Sequence, residues 1–557
     1  MSTPVYLNQL GIVCALGQGA DAVANALFGV DAPVGVATSD AFTPGRALAV
    51  GQVPGPLPAL GDVPMALRTR NNALLRAAYA QLRPAVDAAI ARHGAHRVAV
   101  IVGTSTSGIG EAEQSLPRYQ RDGRWPAEFH YAQQEIGAPS RFLAHESGAR
   151  GPAWTLSTAC SSSAKALASA ARLLRAGIVD AVIAGGADSL CGFTIAGFSA
   201  LEAVSGQRCN PFSAHRNGIN IGEAAALFLM TREPGPVTLA GWGESSDAHH
   251  MSAPEPSGAG AIAAIEQALA RAGIAADAVD YVNLHGTATP QNDAMESRAA
   301  AATFGARVPV SSTKPLTGHT LGAAGALEAG LCWLAMARNP QHRLPPHWWD
   351  GTPDPELPAL AFVAPGQRAA RPLRHVLSHS FAFGGSNAVL LFGRGDRPAG
   401  AGHAPAPAAA MPDIEQVIPH RGTMLLVDRL VHWDDETVAV ELAVPADSPF
   451  HVDGGVPAYV GVEYMAQAVA CWAGCHARAR GAPPPIGFLL GTRRYECAVP
   501  LFSSGLQLRV EARREILGEN GLGVFACRIL AADRELATAN VSVFEPPDAM
   551  AYLENET

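Results

Sequence analysis

The sequence predicts a large α/β unit followed by a smaller α+β unit, and three observations lead to this. Hydrophobic residues make up 48% of the 557 residues and charged residues 16%, so the chain can bury large cores and is not disordered throughout. Over residues 1–395, short apolar runs alternate with Ala- and Leu-rich stretches. A Pro-, Ala- and Gly-rich segment, 396–411, then separates a second unit, 412–557, with one helical pattern and several strand-like runs.

The elements of the first unit follow from apolar periodicity. Runs at 98–102, 180–184 and 388–392 predict strands, and Leu and Ala at helical spacing predict a helix over 164–176.

A weak internal repeat also runs through the first unit. Ser157–Cys160 precedes the helix that starts near Ser162, and Thr317–Thr320 precedes a second Ala-rich helix at Gly322–Ala337. A unit of this size is large for one core, which favours a duplicated fold. The alternative is that Ala-rich helices simply look alike.

The composition argues against several classes of protein. A net charge of −9 makes nucleic acid a poor partner, and no apolar run reaches the roughly 18 residues of a membrane span. The first residues lack the pattern of a signal peptide, which predicts a cytoplasmic protein. The nine cysteines follow neither a disulfide framework nor zinc-ligand spacing, so no metal site is expected.

Cys160 is the strongest candidate for a nucleophile. It lies where a strand-like segment turns into a helix, and the helix N-terminus is expected to lower the pKa of its thiol. Small Ser and Ala neighbours leave room for an acyl group. The alternative, a buried structural thiol, is the interpretation given to the remaining cysteines: Cys14, Cys191, Cys209, Cys332, Cys471, Cys475, Cys497 and Cys527.

Two histidines could complete a site with this cysteine. His285 follows the apolar run 279–284, and His319 lies in a Gly-bounded turn before a helix, five residues after Lys314. Ends of strands in α/β sheets commonly hold active sites. The Gly-rich turn FAFGGSN can bring backbone N–H groups close to a substrate oxygen.

These motifs together resemble the elongating β-ketoacyl-ACP synthases. The similar segments are TACSSS, HGTATPQND, KPLTGHTLGAAG and FAFGGSN, in the family's order, and the resemblance covers residues 4–395. It implies a thiolase-like fold of two similar halves in five layers. It also implies that acyl and malonyl groups arrive on the phosphopantetheine of acyl carrier protein, without another cofactor.

The resemblance further implies a role for each residue. Cys160 would carry the acyl chain as a thioester, and His285 and His319 would promote decarboxylation of malonyl-ACP and stabilise the enolate and oxyanion. Lys314 would hold the histidines in place. The N–H groups of Cys160 and Phe383 would form an oxyanion hole, with Phe383 as a gate. The remaining residues expected at the substrate are Gly384, Gly385, Thr287 and Thr317.

Three positions depart from the family's usual pattern. Ala288 and Asn292 replace glycines of the common HGTGTPxGD motif, and Asn283 stands where an acidic residue is frequent. Asp293 and Glu296 still fit. The substitutions are expected to change pocket shape or partner choice without removing a catalytic group.

The second unit resembles the hotdog-fold hydroxyacyl-ACP dehydratases, in the variant associated with aryl-polyene pathways. PHRGTMLLVDR and VEYMAQA are the similar segments, and the family's glutamate maps to Glu463. His451 is the expected catalytic histidine, acting across a dimer interface, with His420 as a second candidate more suited to a structural hydrogen bond. Other possibilities are a non-catalytic hotdog used for dimerisation or carrier docking, and a thioesterase.

The expected partners are acyl carrier protein and a second ketosynthase-like subunit, identical or different. Acyl carrier protein is acidic, so a basic patch is expected despite the acidic net charge. A chain-length-factor-like role is the rival interpretation, and the presence of Cys160 argues against it. Two arginine clusters are candidates for the patch, although solvated charged faces are common: Arg68, Arg70 and Arg76, and Arg118, Arg121 and Arg124.

Overall fold

The computed structural model describes residues 3–395, 411–479, 482–518, 521–532 and 534–546. Backbone contacts divide the chain into two units, Met1–Pro398 and Ala399–Thr557. Of the predicted linker 396–411, residues 396–410 lie outside the described residues.

The first unit contains fourteen strands and eleven helices among its described residues. The strands are β1 Tyr6–Cys14, β2 Gly17–Gln18, β3 Ala37–Ser39, β4 Leu48–Val50, β5 Val98–Gly103, β6 Ala153–Leu156, β7 Ala181–Asp188, β8 Ala224–Thr231, β9 Val237–Ser246, β10 Tyr281–Asn283, β11 Pro309–Ser311, β12 Ala361–Phe362, β13 His375–Ala382 and β14 Ser386–Arg394. The helices are α1 Ala20–Leu27, α2 Arg70–Tyr79, α3 Arg83–His93, α4 Ile109–Asp122, α5 Ala138–Ser147, α6 Ser162–Arg175, α7 Gly192–Ala200, α8 Ala259–Ala272, α9 Pro290–Phe304, α10 Lys314–Thr317 and α11 Ala324–Ala337.

The strand order confirms the predicted duplication. The first half runs β6-β5-β7-β8-β1 and the second runs β11-β10-β13-β14-β9, so each half repeats the order 3-2-4-5-1. Directions match as well: β5 is parallel to β6 and β7, as β10 is to β11 and β13, and the next two pairings in each half are antiparallel. The halves meet where β1 pairs with β9.

Helices α6 and α11 form the layer between the two half-sheets, and their packing explains their small residues. A Cβ added at Gly325 of α11 would lie 2.7 Å from the Cβ and backbone nitrogen of Ala164 on α6. The Ser163 hydroxyl accepts a hydrogen bond from the Ala326 backbone N–H at 2.8 Å. Close approach of these helices brings the two repeated turns, 157–160 and 317–320, to one place.

The second unit is an α+β domain, as predicted. Its elements are β15 Arg429–Trp433, β16 Thr437–Ala443, β17 Gly455–Pro457, α12 Gly461–Ala479, β18 Phe488–Cys497, β19 Leu501–Ser503, β20 Gln507–Leu517, β21 Leu522–Ala531 and β22 Arg534–Phe544. Six strands form an antiparallel sheet in the order β15-β16-β20-β21-β22-β18. The core includes Met465, Val469 and Trp472 from α12. Among the helices of the described ranges, none has the length and apolarity needed to cross a bilayer.

Candidate active sites

Cys160 lies in a sharp turn before α6, at the centre of the first unit. Ala159 has a positive φ of 52°, and the turn buries Cys160 to 6% exposure. The backbone N–H groups of Phe383 and of Cys160 itself hydrogen-bond the sulfur. The His319 Nε2 lies 3.0 Å from the same atom.

The expected lowering of the Cys160 pKa is wrong for the resting protein. Burial raises the pKa of this thiol to about 11, and it outweighs the opposing effects of the Lys314 charge and the two backbone N–H groups. Desolvation disfavours a thiolate more than a helix N-terminus stabilises one. Cys160 therefore rests as a thiol.

His319 is held so that its Nε2 carries a proton. The backbone N–H of Leu321 donates to its Nδ1 at 3.1 Å, which makes Nδ1 the acceptor of a neutral ring. Burial, followed by the charge of Lys314, keeps the pKa of His319 well below its usual value. Nε2 is thus an N–H donor aimed at the cysteine sulfur.

The same logic applies to His285, which follows β10. The Lys314 ammonium lies 3.4 Å from its Nδ1 and also donates to its backbone carbonyl. Burial and then the Lys314 charge hold the pKa of His285 well below normal. Because an ammonium only donates, Nδ1 accepts and Nε2–H is the donor of this ring too.

Glu328 of α11 is a site residue that the sequence analysis missed. It forms a buried ion pair with Lys314, and burial raises the pKa of its carboxyl to about 7. The available signal was a lone carboxylate inside an apolar helix, since such a residue needs a cation nearby.

A cavity of about 380 Å³ opens onto the cysteine and the two histidines. Thr287 and Phe383 line it, and the Phe383 ring lies 5.5 Å from that of Phe198. Gly384, Gly385 and Thr317 are not among the lining residues. The Thr317 hydroxyl instead donates to the Gly318 carbonyl at 2.8 Å.

The three unusual residues in and near the first histidine motif differ in how they fit the fold: one has a strained backbone and two form side-chain hydrogen bonds. Ala288 adopts a φ of 65°, where a side chain is strained, whereas Asn292 donates to both Asp293 and Glu296. Asn283 is buried and hydrogen-bonds two neighbouring hydroxyl groups.

Ligand atoms of Cys160, His285 and His319 lie within 4.8 Å of one another, a spacing that could suit a metal ion. Each ring, however, already uses Nδ1 as an acceptor, so its Nε2 is protonated. Metal ligation through Nε2 would require loss of that proton. The donor set therefore fits an oxyanion better than a cation.

In the second unit the structure brings His420, rather than His451, next to Glu463. The His420 Nε2 lies 3.8 Å from a Glu463 carboxylate oxygen, and its Nδ1 is buried without a hydrogen-bond partner. Gln467, one turn along α12, donates to the same Glu463 oxygen at 3.0 Å. His451 is exposed and lies 3.0 Å from the hydroxyl of Ser504. Within the described part of the chain, no hydrogen bond to the His420 ring is present, contrary to expectation.

The first arginine cluster is largely occupied within the protein. Arg70 pairs with buried Glu223, Arg76 pairs with Asp62 and Glu146, and Arg68 donates to two carbonyls. In the second cluster, Arg118 pairs with Glu128 and Arg121 with Asp122, on an exposed surface.

Comparison with known proteins agrees with this geometry. Residues 65–234 match the family model for the β-ketoacyl synthase N-terminal domain, and residues 237–346 match the C-terminal domain model. The 3-oxoacyl-(acyl-carrier-protein) synthase 2 of Synechocystis is 33% identical over 318 residues, which are 54% of this chain and 75% of that protein. This chain belongs to the β-ketoacyl synthase family. The synthase continues into residues 412–554, which match the ApeP dehydratase model.

Solved structures similar to the synthase support the same assignment. A ketosynthase, ApeO, in complex with its chain length factor ApeC from Xenorhabdus doucetiae is 48% identical, with a TM-score of 0.66, covering 70% of this chain and 98% of that one. A β-ketoacyl synthase from Burkholderia phymatum is 29% identical, with a TM-score of 0.63, covering 71% and 100%. The protein is thus a ketosynthase of ACP-dependent chain synthesis with an ApeP-like dehydratase domain.

Proposed function

We propose that Cys160, His285 and His319 carry out decarboxylative condensation of acyl-ACP with malonyl-ACP to give 3-oxoacyl-ACP. The observation that carries this proposal is the 3.0 Å contact between the Cys160 sulfur and the His319 Nε2, beside a second histidine, His285, that lines the same cavity.

The first step is acyl transfer onto Cys160. Its sulfur attacks the thioester of acyl-ACP, and the tetrahedral oxyanion accepts hydrogen bonds from the backbone N–H groups of Cys160 and Phe383. The phosphopantetheine thiolate leaves and takes the proton that the cysteine gives up. The raised pKa of the thiol means that only a small fraction is thiolate before substrate binds.

The second step uses the two histidines as hydrogen-bond donors. Malonyl-ACP loses CO2, and the thioester enolate that remains is stabilised by the Nε2–H groups of His285 and His319. Its α-carbon then attacks the Cys160 thioester, and collapse of the second tetrahedral oxyanion expels the cysteine thiolate, which takes up one proton from solvent. No electron carrier is needed, and phosphopantetheine on the carrier supplies both substrates.

The second unit dehydrates 3-hydroxyacyl-ACP with His420 and Glu463. Dehydration needs one group to remove the α-proton and another to protonate the leaving hydroxyl, and this pair has complementary chemistry within 3.8 Å. His451, acting from a partner subunit, remains the competing candidate.

The working partners are acyl carrier protein and a ketosynthase-like subunit. The support is the similar ketosynthase from Xenorhabdus doucetiae, which was solved with a chain length factor. A homodimer is the alternative assembly, and size measurement of the purified protein with and without co-expressed ketosynthase-like subunits separates the two.

Intact-mass analysis tests the condensing role. Incubation with acyl-ACP is expected to add one acyl mass to the wild type and none to Cys160→Ala. Cys209→Ala is the matched control, because Cys209 is also buried but does not line the cavity. A wild type that never gains the mass would contradict the proposal and favour a chain-length-factor-like role.

Three variants test the dehydratase domain with 3-hydroxyacyl-ACP as substrate. His420→Ala and Glu463→Gln are expected to stop formation of enoyl-ACP, and His451→Ala is expected to retain it. Loss in His451→Ala alone would assign the reaction to a histidine from the partner subunit. Absence of turnover in the wild type would indicate a docking or dimerisation domain.

A further inference from the structure

His379, another buried histidine of the first unit, lies close to the active site but takes no part in the chemistry described above. It projects from β13 and is fully buried. Its Nδ1 lies 3.1 Å from Oε1 of Glu296 on α9, and its buried Nε2 has no hydrogen-bond partner among the described residues. Burying a ring nitrogen without a hydrogen bond lowers the stability of the fold. A residue kept in spite of that loss points to a role for its other contact, the one with Glu296.

Glu296 connects this ring to the active site. Its Oε1 accepts the backbone N–H of His285 at 2.7 Å, and its Oε2 accepts that of Gly286 at 2.6 Å. Both oxygens are therefore used to hold the turn that presents the catalytic ring. Because a carboxylate oxygen only accepts hydrogen bonds, His379 is the donor of this contact through its Nδ1–H.

A second contact runs through Phe381, two residues along the same strand. Its ring centroid lies 5.1 Å from that of His379 and 6.4 Å from that of His285, and it lines the cavity. His379 thus acts on His285 in two ways: through Glu296 on the His285 backbone, and through Phe381 on the His285 ring.

We propose that His379 is a positioning residue for His285, acting through Glu296. It keeps the carboxylate in place so that the Nε2–H of His285 points at the developing enolate. The inference rests on the proposed role of His285 in decarboxylation.

The structure predicts that this effect is confined to one half of the reaction. His319 is held by other contacts: its backbone N–H donates to the Asn220 carbonyl at 2.6 Å, and its Nδ1 accepts from Leu321. Acyl transfer onto Cys160 depends on that side of the site and on the two backbone donors. Loss of His379 should therefore slow decarboxylation and leave acyl transfer nearly unchanged.

The test measures both half-reactions in three variants of the full chain. His379→Leu removes the donor and fills similar space, His379→Asn restores an N–H near the position of Nδ1, and Phe304→Leu loosens packing against the His379 ring without touching its hydrogen bond. Acyl transfer is followed by the mass added at Cys160, and decarboxylation by CO2 released from malonyl-ACP.

His379→Leu is expected to slow CO2 release by about tenfold, the scale expected when a catalytic group is slightly misplaced, with acyl transfer within about twofold of wild type. His379→Asn should recover most of the rate, and Phe304→Leu should show no selective loss. Equal losses in both half-reactions, or none, would overturn the proposal. If the leucine variant does not fold, Glu296→Gln is expected to give the same selective loss and carries the test. A wild type without acyl transfer would instead contradict the proposed function itself.

Discussion

Replacement of Lys314 by Met tests the buried ion pair beside the two candidate catalytic histidines. Lys314 is 1% exposed and Glu328 is 2% exposed, so neither charge is stabilised by water. In the wild type the ammonium permits Glu328 to ionise, with a pKa raised by burial to about 7. In Lys314→Met the carboxyl has lost its cation and must keep its proton in the folded state.

The size of the effect follows from linkage between folding and proton binding. The raised pKa of Glu328 means that stability is lost as pH rises above the unfolded value of 4.5, and in the wild type this loss stops near pH 7. In the variant it continues, at about 1.4 kcal/mol for each further pH unit. The penalty for Lys314→Met should therefore be larger at pH 8 than at pH 6, by on the order of 1 kcal/mol.

Denaturant unfolding of the full chain at the two pH values, at one protein concentration, measures this difference. The transition of the first unit should be identified separately, because two-unit chains need not unfold in one step. The double variant Lys314→Met, Glu328→Gln has no titrating carboxyl and serves as the control. It should lack the additional loss between pH 6 and pH 8. A Lys314→Met penalty that is the same at both pH values would refute the reasoning.

Three further predictions concern the same unit. Alkylation of Cys160 by iodoacetamide should accelerate about tenfold per pH unit from pH 7 to pH 10, because its pKa is about 11, and a plateau below pH 9 by peptide mass would contradict this. Gly325→Ala should lower the free energy of unfolding by about 1–3 kcal/mol, because the added Cβ would lie 2.7 Å from Ala164. The control Gly110→Ala, whose added Cβ has its nearest contact at 3.6 Å, should lower it little. Equal unfolding free energies for the two variants would argue against close packing of α6 on α11. Ala288→Gly should stabilise the fold by up to about 1 kcal/mol by relieving the positive φ, while Ala300→Gly within α9 should destabilise it, and thermal unfolding compares the two.

The fold and the three candidate residues that the structure brings together were accessible from the sequence because local patterns carry them. Cys160, His285 and His319 each lie in a short motif next to a predicted strand or helix, and the repeated turn-helix pattern corresponds to the repeated strand order. Motifs of this kind are contiguous in sequence, so they can be interpreted without knowing which distant segments contact them.

The features that escaped prediction depend on burial and on contacts between distant segments. The pKa of Cys160 is decided by desolvation, which a sequence pattern does not measure. Glu328 becomes important only because α10 places Lys314 beside it. Glu463 and His420 were both candidates from their motifs, but the two residues are 43 positions apart and the motifs do not indicate that His420, rather than His451, lies beside Glu463 in one chain.

The presence of the two proposed sites on one chain has a consequence for the path of the substrate. Condensation leaves a ketone at C3, whereas loss of water requires a hydroxyl at C3, and the two compounds differ by two electrons and two protons. Cysteine, histidine, lysine and carboxylate side chains cannot supply a hydride. A separate carbonyl reductase must therefore act between the two steps, so the carrier-bound chain leaves the synthase cavity and later returns to the other end of the same polypeptide. Fusion therefore fixes the two activities in a one-to-one ratio, although they catalyse steps that do not follow each other directly.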